Sequence, residues 1–259
     1  NIGLDSMVFI DDNPSERSIV KHKFEAVEVP EFPKSPFLIK SFFDCVLDDF
    51  FKLYKLTDED KSKTRQYQEN KIRSSFKKNF SNIDEYLKSI NIVIEINKVD
   101  QFSFSRVAQM TQKTNQFNLT TIRFSEKEIK DLIQNNHLIL TASISDKFGN
   151  SGITGLIIIK LKEKNHQAYI NSFLLSCRVL GKGIEFAFIK AVLNHLNSKG
   201  IKTVNSKYVK TLKNSQTLNF YEDLGFKKIS AEKNNESVDY VLELNKEFKI
   251  KNFYKIKIN

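Results

Sequence analysis

Six consecutive residues with the spacing R-x-x-G-x-G form the clearest chemical pattern in the chain. They lie between an apolar segment that predicts a β-strand, 167–176, and a segment that predicts a helix, 183–197. Backbone N–H groups at a helix start have no partner within the helix, and the helix dipole favours an anion beside them. Glycine also lets a phosphate approach the backbone closely. The pattern therefore predicts an anion site, with a plain structural turn as the alternative. The residues predicted to bind the anion are Arg178, Val179, Leu180, Gly181, Lys182 and Gly183.

A second pattern, N-x5-F-Y-x3-G-F, follows one predicted strand later. It runs from Asn214 through Phe220 and Tyr221 to Gly225 and Phe226, and Gly225 is typical of the residue just after a helix. Two roles fit Tyr221. Its hydroxyl is either an acid beside a leaving sulfur, which would make Tyr221 catalytic, or the hydrogen-bonded end of a core aromatic.

Polar side chains near these patterns are candidates for contact with a substrate. Cys177 directly precedes Arg178, and this arginine and the helix start could activate the thiol to accept an acyl group, which would make it catalytic. The alternative is a small buried residue that fills the end of the strand. Asn115, Gln116 and Asn118 follow a predicted helix, and they either bind a substrate or cap the turn.

Two acidic residues near the start of the chain are candidates for a metal site. The apolar run Met7–Ile10 predicts a buried parallel strand, and Asp11 and Asp12 follow it directly. Carboxylate oxygens are the ligands that Mg2+ prefers. The alternative for Asp11 and Asp12 is an exposed acidic turn.

Composition narrows the class of partner. The chain of 259 residues has a net charge of +10, yet only six of its 41 basic residues are arginine, the residue that base and phosphate contacts favour. This disfavours nucleic acid and leaves a solvated lysine surface or an acidic protein partner. The two cysteines are far apart, and no apolar stretch is long enough for a signal peptide or a membrane span. A cytoplasmic protein without a membrane partner is therefore predicted.

The predicted elements give an α/β (α+β) fold in two domains. Residues 1–56 contain a strand, a short helix and a proline-rich stretch, and 57–90 predict a helical linker with Thr57 as its N-cap. From Ile92 the order of elements is β-α-α-β-β-β-α-β-α-β-β, which makes 91–259 a second domain. The chain opens on Asn1 almost directly into a strand, which indicates a piece of a longer polypeptide.

The two patterns of the second domain resemble those of the GNAT acyltransferase superfamily. Arg178, Gly181 and Gly183 match its coenzyme loop, R/Q-x-x-G-x-G/A, and the pattern that begins at Asn214 matches its following motif. The resemblance implies a GNAT-like acyltransferase fold with splayed central strands. It also implies CoA or phosphopantetheine at the loop, with Asn214 as a further cofactor-binding residue and Tyr221 as the acid.

Three segments narrow the resemblance to the FkbH-like family, subfamily IIIC of the HAD superfamily. They are 8–17, which looks like the last acidic motif of HAD phosphatases, and 106–118 and 176–185. That family joins a HAD domain to a GNAT-like domain. Residues 1–56 would then be the C-terminal end of a HAD-like Rossmannoid domain whose paired acids hold Mg2+. The resemblance implies transfer of a glyceryl group from a small phosphorylated three-carbon acid to the thiol of an acyl-carrier protein.

Two other functions stay open at this point. One is an N-acyltransferase that uses acyl-CoA on an amine, although the predicted strand 137–145 contains no acid and Asp146 lies at its hairpin tip. The other is a non-catalytic module that docks a carrier or stiffens the preceding domain.

Overall fold

The protein is described by a computed structural model that covers residues 3–51, 63–231 and 236–259. The chain divides into two compact units, Asn1–Leu56 and Thr57–Asn259, and each is described by itself. No helix in the described ranges is long and apolar enough to cross a membrane.

The first unit contains one helix that its sequence caps clearly. This helix, α1 (Pro14–Lys23), begins after Asn13, whose side chain accepts a hydrogen bond from the Ser15 N–H, and Pro14 occupies the first turn. A second helix, α2 (Ile39–Val46), continues as a π-helix over Leu47–Phe51. Two short 3-10 helices, Leu4–Ser6 and Pro36–Leu38, complete the described elements of this unit.

The prediction of a buried strand at Met7–Ile10 is wrong about its burial. Val8 makes an isolated parallel bridge to Glu28, so the predicted parallel pairing is present. Yet Met7 is 40% exposed, and the following residues are only half-buried. A parallel strand is buried when it has neighbours on both sides and helices on both faces, and the described part of this unit offers one neighbour.

Two helices open the described part of the second unit, within the segment predicted to be a linker. They are α3 (Lys63–Lys77) and α4 (Ile83–Ser89), and Asn82 caps α4 by accepting from the Asp84 N–H. Tyr86 and Leu87 of α4 belong to the main hydrophobic core, so this helix packs as part of the unit. The predicted N-cap Thr57 lies outside the described residues.

The second unit is built on an eight-stranded mixed sheet. The strands are β1 (Val93–Lys98), β2 (His137–Asp146), β3 (Gly149–Lys162), β4 (Gln167–Leu175), β5 (Thr203–Val209), β6 (Lys227–Ala231), β7 (Ser237–Glu243) and β8 (Lys255–Ile258). Their order in the sheet is β6-β7-β5-β4-β3-β2-β1-β8. The α-helices that follow α4 are α5 (Phe104–Lys113), α6 (Glu126–Gln134), α7 (Ile184–Ser198) and α8 (Phe220–Asp223). From β1 to β7 the elements follow the predicted order.

The two central strands, β4 and β5, are parallel and separate part-way along their length. They pair from Gln167 opposite Thr203 to Ile170 opposite Ser206, and no further. Asn171 lies at a register shift between β4 and β3, and such bulges bend a strand away from its neighbour. The splayed strands that the resemblance implied are therefore present.

Alternating residues of the sheet face two separate cores. Ile157 and Ile159 of β3 belong to the larger core with α4 and α7, while Leu156 and Ile158 belong to the smaller one with α5 and α6. This alternation follows from the two-residue period of a strand. Helices therefore pack on both faces, and the β4–β5 gap lies between them.

Candidate functional site

The R-x-x-G-x-G loop connects the end of β4 to the start of α7. After a 3-10 turn over Cys177–Val179, the chain passes through Gly181 and Gly183 with φ of +74° and +67°. Val179 is fully buried and anchors the loop in the core. No side chain caps α7, and no hydrogen bond within the described chain uses the backbone N–H groups from Gly181 to Ile184. These donors are available to an anion, as the sequence predicted.

The two loop glycines have different surroundings. A Cβ on Gly181 would have no neighbour within 4 Å, whereas a Cβ on Gly183 would lie 2.7 Å from the Tyr254 hydroxyl oxygen. That hydroxyl donates a hydrogen bond of 2.5 Å to the Lys182 carbonyl oxygen. The prediction that both glycines admit a phosphate is therefore corrected, because Tyr254 occupies the space beside Gly183 and only the Gly181 side is open.

This difference predicts the outcome of paired substitutions. Both Gly181→Ala and Gly183→Ala place a side chain at positive φ, at a cost of about 1–2 kcal/mol each. Gly183→Ala should cost about 1–3 kcal/mol more because of the overpacking against Tyr254. Urea unfolding measures both losses. In the Tyr254→Phe background, which lacks the clashing oxygen, the difference between the two alanine variants should shrink; an unchanged difference would contradict this arrangement.

The side chain of Lys182 points away from the expected anion. Its Nζ lies 3.6 Å from Asp146 Oδ2, and Arg73 binds the same carboxylate through Nε and Nη2 at 2.7 and 2.8 Å. Arg73 and Asp146 expose only 5% and 3% of their side chains. The prediction that Lys182 adds its charge to the anion site is thus corrected. Asp146 lies at the end of β2, as predicted, but it is buried in an ion pair that the sequence analysis missed.

Burial and charge act in opposite directions in this cluster. Burial opposes ionisation of Asp146, but the Arg73 hydrogen bonds and the Lys182 and Arg73 charges outweigh it and lower the pKa of that carboxyl. Burial lowers the pKa of Lys182, and Asp146 opposes this. Glu69 completes the cluster, 3.6 Å from Arg73. The cluster ties α3 to the β2 end and to the loop.

Arg178 and Cys177 stand at the entrance to the loop. The Arg178 Nε donates to the Ser176 hydroxyl oxygen at 3.2 Å. Cys177 is exposed, so the alternative of a buried residue filling the strand end is wrong. The catalytic role of the thiol stays a prediction. The exposure of Cys177 gives a substrate access to the sulfur, as that role needs.

Several residues close in sequence or pairing to the point where β4 and β5 separate have buried polar atoms without partners. Of the seven buried side-chain atoms without a hydrogen bond in the described residues, four belong to this point: Asn171 Oδ1, Ser172 Oγ, Ser206 Oγ and Tyr221 Oη. Ser206 is the last β5 residue paired with β4, and Asn171 is the bulge. Buried polar groups are nearly always hydrogen-bonded, so such a concentration is typical of a functional site. The sequence analysis found Tyr221 and missed the other three.

Tyr221 itself is a core residue. It is 1% exposed, and its ring packs against Phe226 and Tyr240 at centroid distances of 5.0 and 5.3 Å. Burial raises the pKa of its hydroxyl strongly, and Ser206 partly opposes this shift, although the two hydroxyls do not form a hydrogen bond of normal geometry. Tyr221 therefore packs as the core aromatic of the second alternative, but its hydroxyl lacks the hydrogen-bond partner that this alternative predicted.

A segment after α5 fills part of the gap between the separated strands. The Leu119 N–H donates to Phe173 O and the Leu175 N–H donates to Phe117 O, both across to β4. On the other side, the Val209 N–H of β5 donates to Leu119 O at 2.8 Å. Phe117–Leu119 is thus a short antiparallel bridge between the two strands.

The predicted substrate-binding residues mainly hold this segment in place. Asn118 is fully buried, and its amide binds Thr114 O and the Thr121 N–H. Asn115 Oδ1 accepts from Arg123, and Gln116 O accepts from the Gln216 side chain. The capping alternative therefore describes Asn118, and direct substrate contact by these residues stays a prediction.

Asn214 ties the same segment to β5. Its Nδ2 donates to Asn118 O and Val209 O, both at 2.9 Å, and its Oδ1 accepts from the Thr211 N–H and the Tyr208 hydroxyl. The side chain is 0% exposed and leaves no donor for a coenzyme. Direct cofactor binding, which the resemblance implied for Asn214, is corrected to support of the gap.

The predicted metal site does not form from the described residues. Asp11 Oδ1 accepts from the Asn13 N–H, and Arg17 binds the Asp11 and Asp12 carbonyl oxygens. Nowhere in the described ranges do three metal-ligating side chains come together. The metal-binding role of Asp11 and Asp12 stays a prediction, and no chemistry is assigned to Mg2+ here.

Among solved structures, several acetyltransferases are similar to part of this chain. The Escherichia coli ribosomal-protein-S18-alanine N-acetyltransferase shares 12% identity over 61% of this chain and 97% of its own, with a TM-score of 0.46. A putative GNAT-family acetyltransferase of Desulfovibrio desulfuricans shares 13% over 58% and 99%, with a TM-score of 0.47. A variant of the Vibrio cholerae spermidine N-acetyltransferase SpeG shares 13% over 58% and 94%, with a TM-score of 0.45. No protein-family model matches the sequence, and no curated protein matches it.

Proposed function

We propose that the second unit is a GNAT-type acyltransferase that transfers an acyl group from acyl-CoA to an amine. The observation that carries the proposal is the separation of parallel β4 and β5 at the Asn171 bulge, followed directly by a loop with free N–H groups at the start of α7. A polar centre and an anion site thus lie at the two ends of one short stretch of β4. This pairing suits a ligand with a reactive group at one end and phosphates at the other.

The chain's own residues suggest how such a donor would be held. The backbone N–H groups from Gly181 to Ile184 fit a pyrophosphate, on the open side of Gly181. The β4 edge between Phe173 and Leu175 is already bonded to Phe117–Leu119, so recognition would rest chiefly on the loop. Acyl-CoA would supply the acyl group as an activated thioester.

The hydroxyls at the strand separation suggest how protons would be handled. When the amine nitrogen bonds to the acyl carbon, the carbon–sulfur bond breaks, the nitrogen loses a proton and the leaving sulfur gains one. Tyr221 would give its proton to the sulfur and take up the proton that the nitrogen releases, so that no net charge is left on it. Tyr221 Oη is the proposed proton donor because it is buried near the strand separation and has no hydrogen-bond partner in the described residues. Ser206, beside it, lines a cavity of about 260 Å3 with Tyr169, Asn205 and Asp239. This cavity is the proposed entry for the amine.

A titration with a matched control tests the proposal. Gly181→Val should weaken acetyl-CoA binding at least about tenfold, which is 1.4 kcal/mol, because the side chain enters the anion site. Gly225→Val introduces the same residue at a positive φ of +89° in equally open space, but at the end of α8, and should leave binding unchanged. Calorimetry measures both, and an amine panel with acetyl-CoA measures transfer. Unaltered affinity in Gly181→Val, or no binding by the parent, contradicts the proposal.

A second candidate is transfer to the thiol of an acidic acyl-carrier protein, with a small phosphorylated acid as the acyl source. The exposure of Cys177 beside the loop favours it, because an exposed thiol is accessible to a thioester, and the net charge of +10 suits an acidic partner. A second titration, with the holo-carrier in place of acetyl-CoA, distinguishes the two candidate functions. Carrier binding that exceeds CoA binding at low salt and weakens with salt would favour this candidate. If neither acetyl-CoA nor the holo-carrier binds, the result favours a non-catalytic module that stiffens the preceding domain.

A further inference from the structure

We infer that the loop binds its anion together with a proton, which the carboxylate of Glu185 takes up. This inference rests on the proposed function, in the part that assigns an anion to the backbone N–H groups from Gly181 to Ile184. Glu185 is the second residue of α7 and follows this run of N–H groups directly. Its carboxylate and a bound anion would share one helix start, so their negative charges would repel each other.

The carboxyl group of Glu185 has no partner that would hold it ionised. Its Oε2 atom is buried and accepts no hydrogen bond in the described residues, and no ion pair among those residues includes it. Burial raises the pKa of this carboxyl, and its own backbone N–H opposes the rise only in part. Buried carboxylates are normally paired with a cation. The surroundings of Glu185 therefore favour the protonated form before any ligand binds.

Tyr254 connects Glu185 to the loop. The Tyr254 hydroxyl donates to the Lys182 carbonyl oxygen at 2.5 Å, and a Cβ on Gly183 would lie 2.7 Å from its oxygen. Burial raises the pKa of this hydroxyl, and the negative charges of Glu185 and of Asp84 on α4 raise it further. The acidic groups that surround this side of the helix start thus reinforce one another, and a further negative charge would add to them.

The cations of the loop, of α7 and of the segment before β8 make their contacts with other groups. Lys182 Nζ lies 3.6 Å from Asp146 Oδ2, and Arg178 Nε donates to a serine hydroxyl. Lys190 donates to a backbone carbonyl oxygen of the segment before β8, and Lys251 is paired with the aspartate of α4 at 2.8 Å. An anion that enters the loop therefore meets a carboxylate that no described cation balances.

Anion binding and protonation of Glu185 are coupled for this reason. A bound anion raises the pKa of the carboxyl further, because a like charge disfavours ionisation. The loop should then bind its anion more tightly as the pH falls through the interval between the pKa values of the bound and the free forms. Above that interval the ionised carboxylate opposes binding.

The test is a series of calorimetric titrations with acetyl-CoA from about pH 6 to about pH 8, with the parent and Glu185→Gln. Glutamine keeps the shape of the side chain but cannot ionise. The affinity of the parent should fall with rising pH more steeply than that of the variant, by up to about tenfold per pH unit, the limit for one proton. The two should bind equally at the acidic end. The ligand's own phosphate titrates in the same range but equally for both proteins, so the difference between the profiles isolates Glu185.

Glu85→Gln is the matched control, because Glu85 is an exposed glutamate in the first turn of α4. Its profile should follow that of the parent, and a profile like that of Glu185→Gln would overturn the inference in favour of a general charge effect. If acetyl-CoA binds but the profiles of the parent and Glu185→Gln coincide, the inference fails and the proposed function stands. If the parent binds no acetyl-CoA, both fail.

Urea unfolding gives a second readout that needs no ligand. Because the folded pKa of Glu185 is raised, the stability of the protein with a neutral carboxyl is fully present below the unfolded pKa. It is lost as the pH rises through the folded value. Glu185→Gln should therefore become more stable relative to the parent as the pH rises, and parallel stability profiles of the two proteins would also overturn the inference.

Discussion

Replacing Arg73 by alanine should destabilise the second unit by about 3–5 kcal/mol, as removal of one partner from a buried ion pair does. The substitution leaves the Asp146 carboxylate, 3% exposed, without its two bonds from Arg73. Lys182, at 3.6 Å, would then be the remaining cation near that carboxylate. Urea unfolding at neutral pH measures the loss. Because Asp146 also holds Lys182, acetyl-CoA binding at the loop should weaken in the same variant.

Two controls make the Arg73 result specific. Lys257→Ala removes an exposed pair with Glu95 and should cost about 0–1 kcal/mol. The second control is the pH dependence of the free energy of unfolding. Since the folded pKa of Asp146 is lowered, its contribution is present above the unfolded pKa and is lost as the pH falls through the folded value. The parent should therefore lose more stability in acid than Arg73→Ala does, and parallel pH profiles would contradict this account.

Replacing Asn214 by alanine should cost about 3–4 kcal/mol, because it leaves several buried groups without partners at once. The carbonyl oxygens of Asn118 and Val209 lose their donor, and the Thr211 N–H and Tyr208 hydroxyl lose their acceptor. The link between β5 and the Phe117–Leu119 bridge would weaken too. Hydrogen exchange should then show the Leu119 N–H less protected than in the parent, in addition to the loss in urea unfolding.

Asn219→Ala provides the comparison for Asn214. Asn219 is exposed five residues further along the chain, and its replacement should change stability by less than about 0.5 kcal/mol. A similar cost for both substitutions would show that the buried amide is not what holds the gap. If Asn214→Ala lowers stability but leaves Leu119 protection unchanged, the bridge is held by its own strand contacts.

The proposed function joins these features into one site. The Arg73–Asp146–Lys182 cluster holds the side chain of loop residue Lys182, and Tyr254 occupies the space beside Gly183. Asn214 links β5 to the Phe117–Leu119 bridge, near Tyr221 and Ser206.

Local patterns in the sequence were enough to predict the elements that carry the loop. The R-x-x-G-x-G spacing and Gly225 after a helix each depend on residues within a few positions of one another. Backbone conformation is a local property, so such patterns can specify it. The order of elements from Ile92 to Leu244 followed from the same information.

What lies inside the site was decided by tertiary structure. Arg73 and Asp146 are separated by 73 positions, and Asn214 and Asn118 by 96, so no local spacing could have paired them. The direction of the Lys182 side chain depends on a buried carboxylate from another strand, and the space beside Gly183 depends on Tyr254 near the end of the chain. The sequence by itself determined where a helix start offers N–H groups to an anion. Only the packed fold decided which face of that start is open, because side-chain contacts between distant segments are set by burial and charge rather than by chain order.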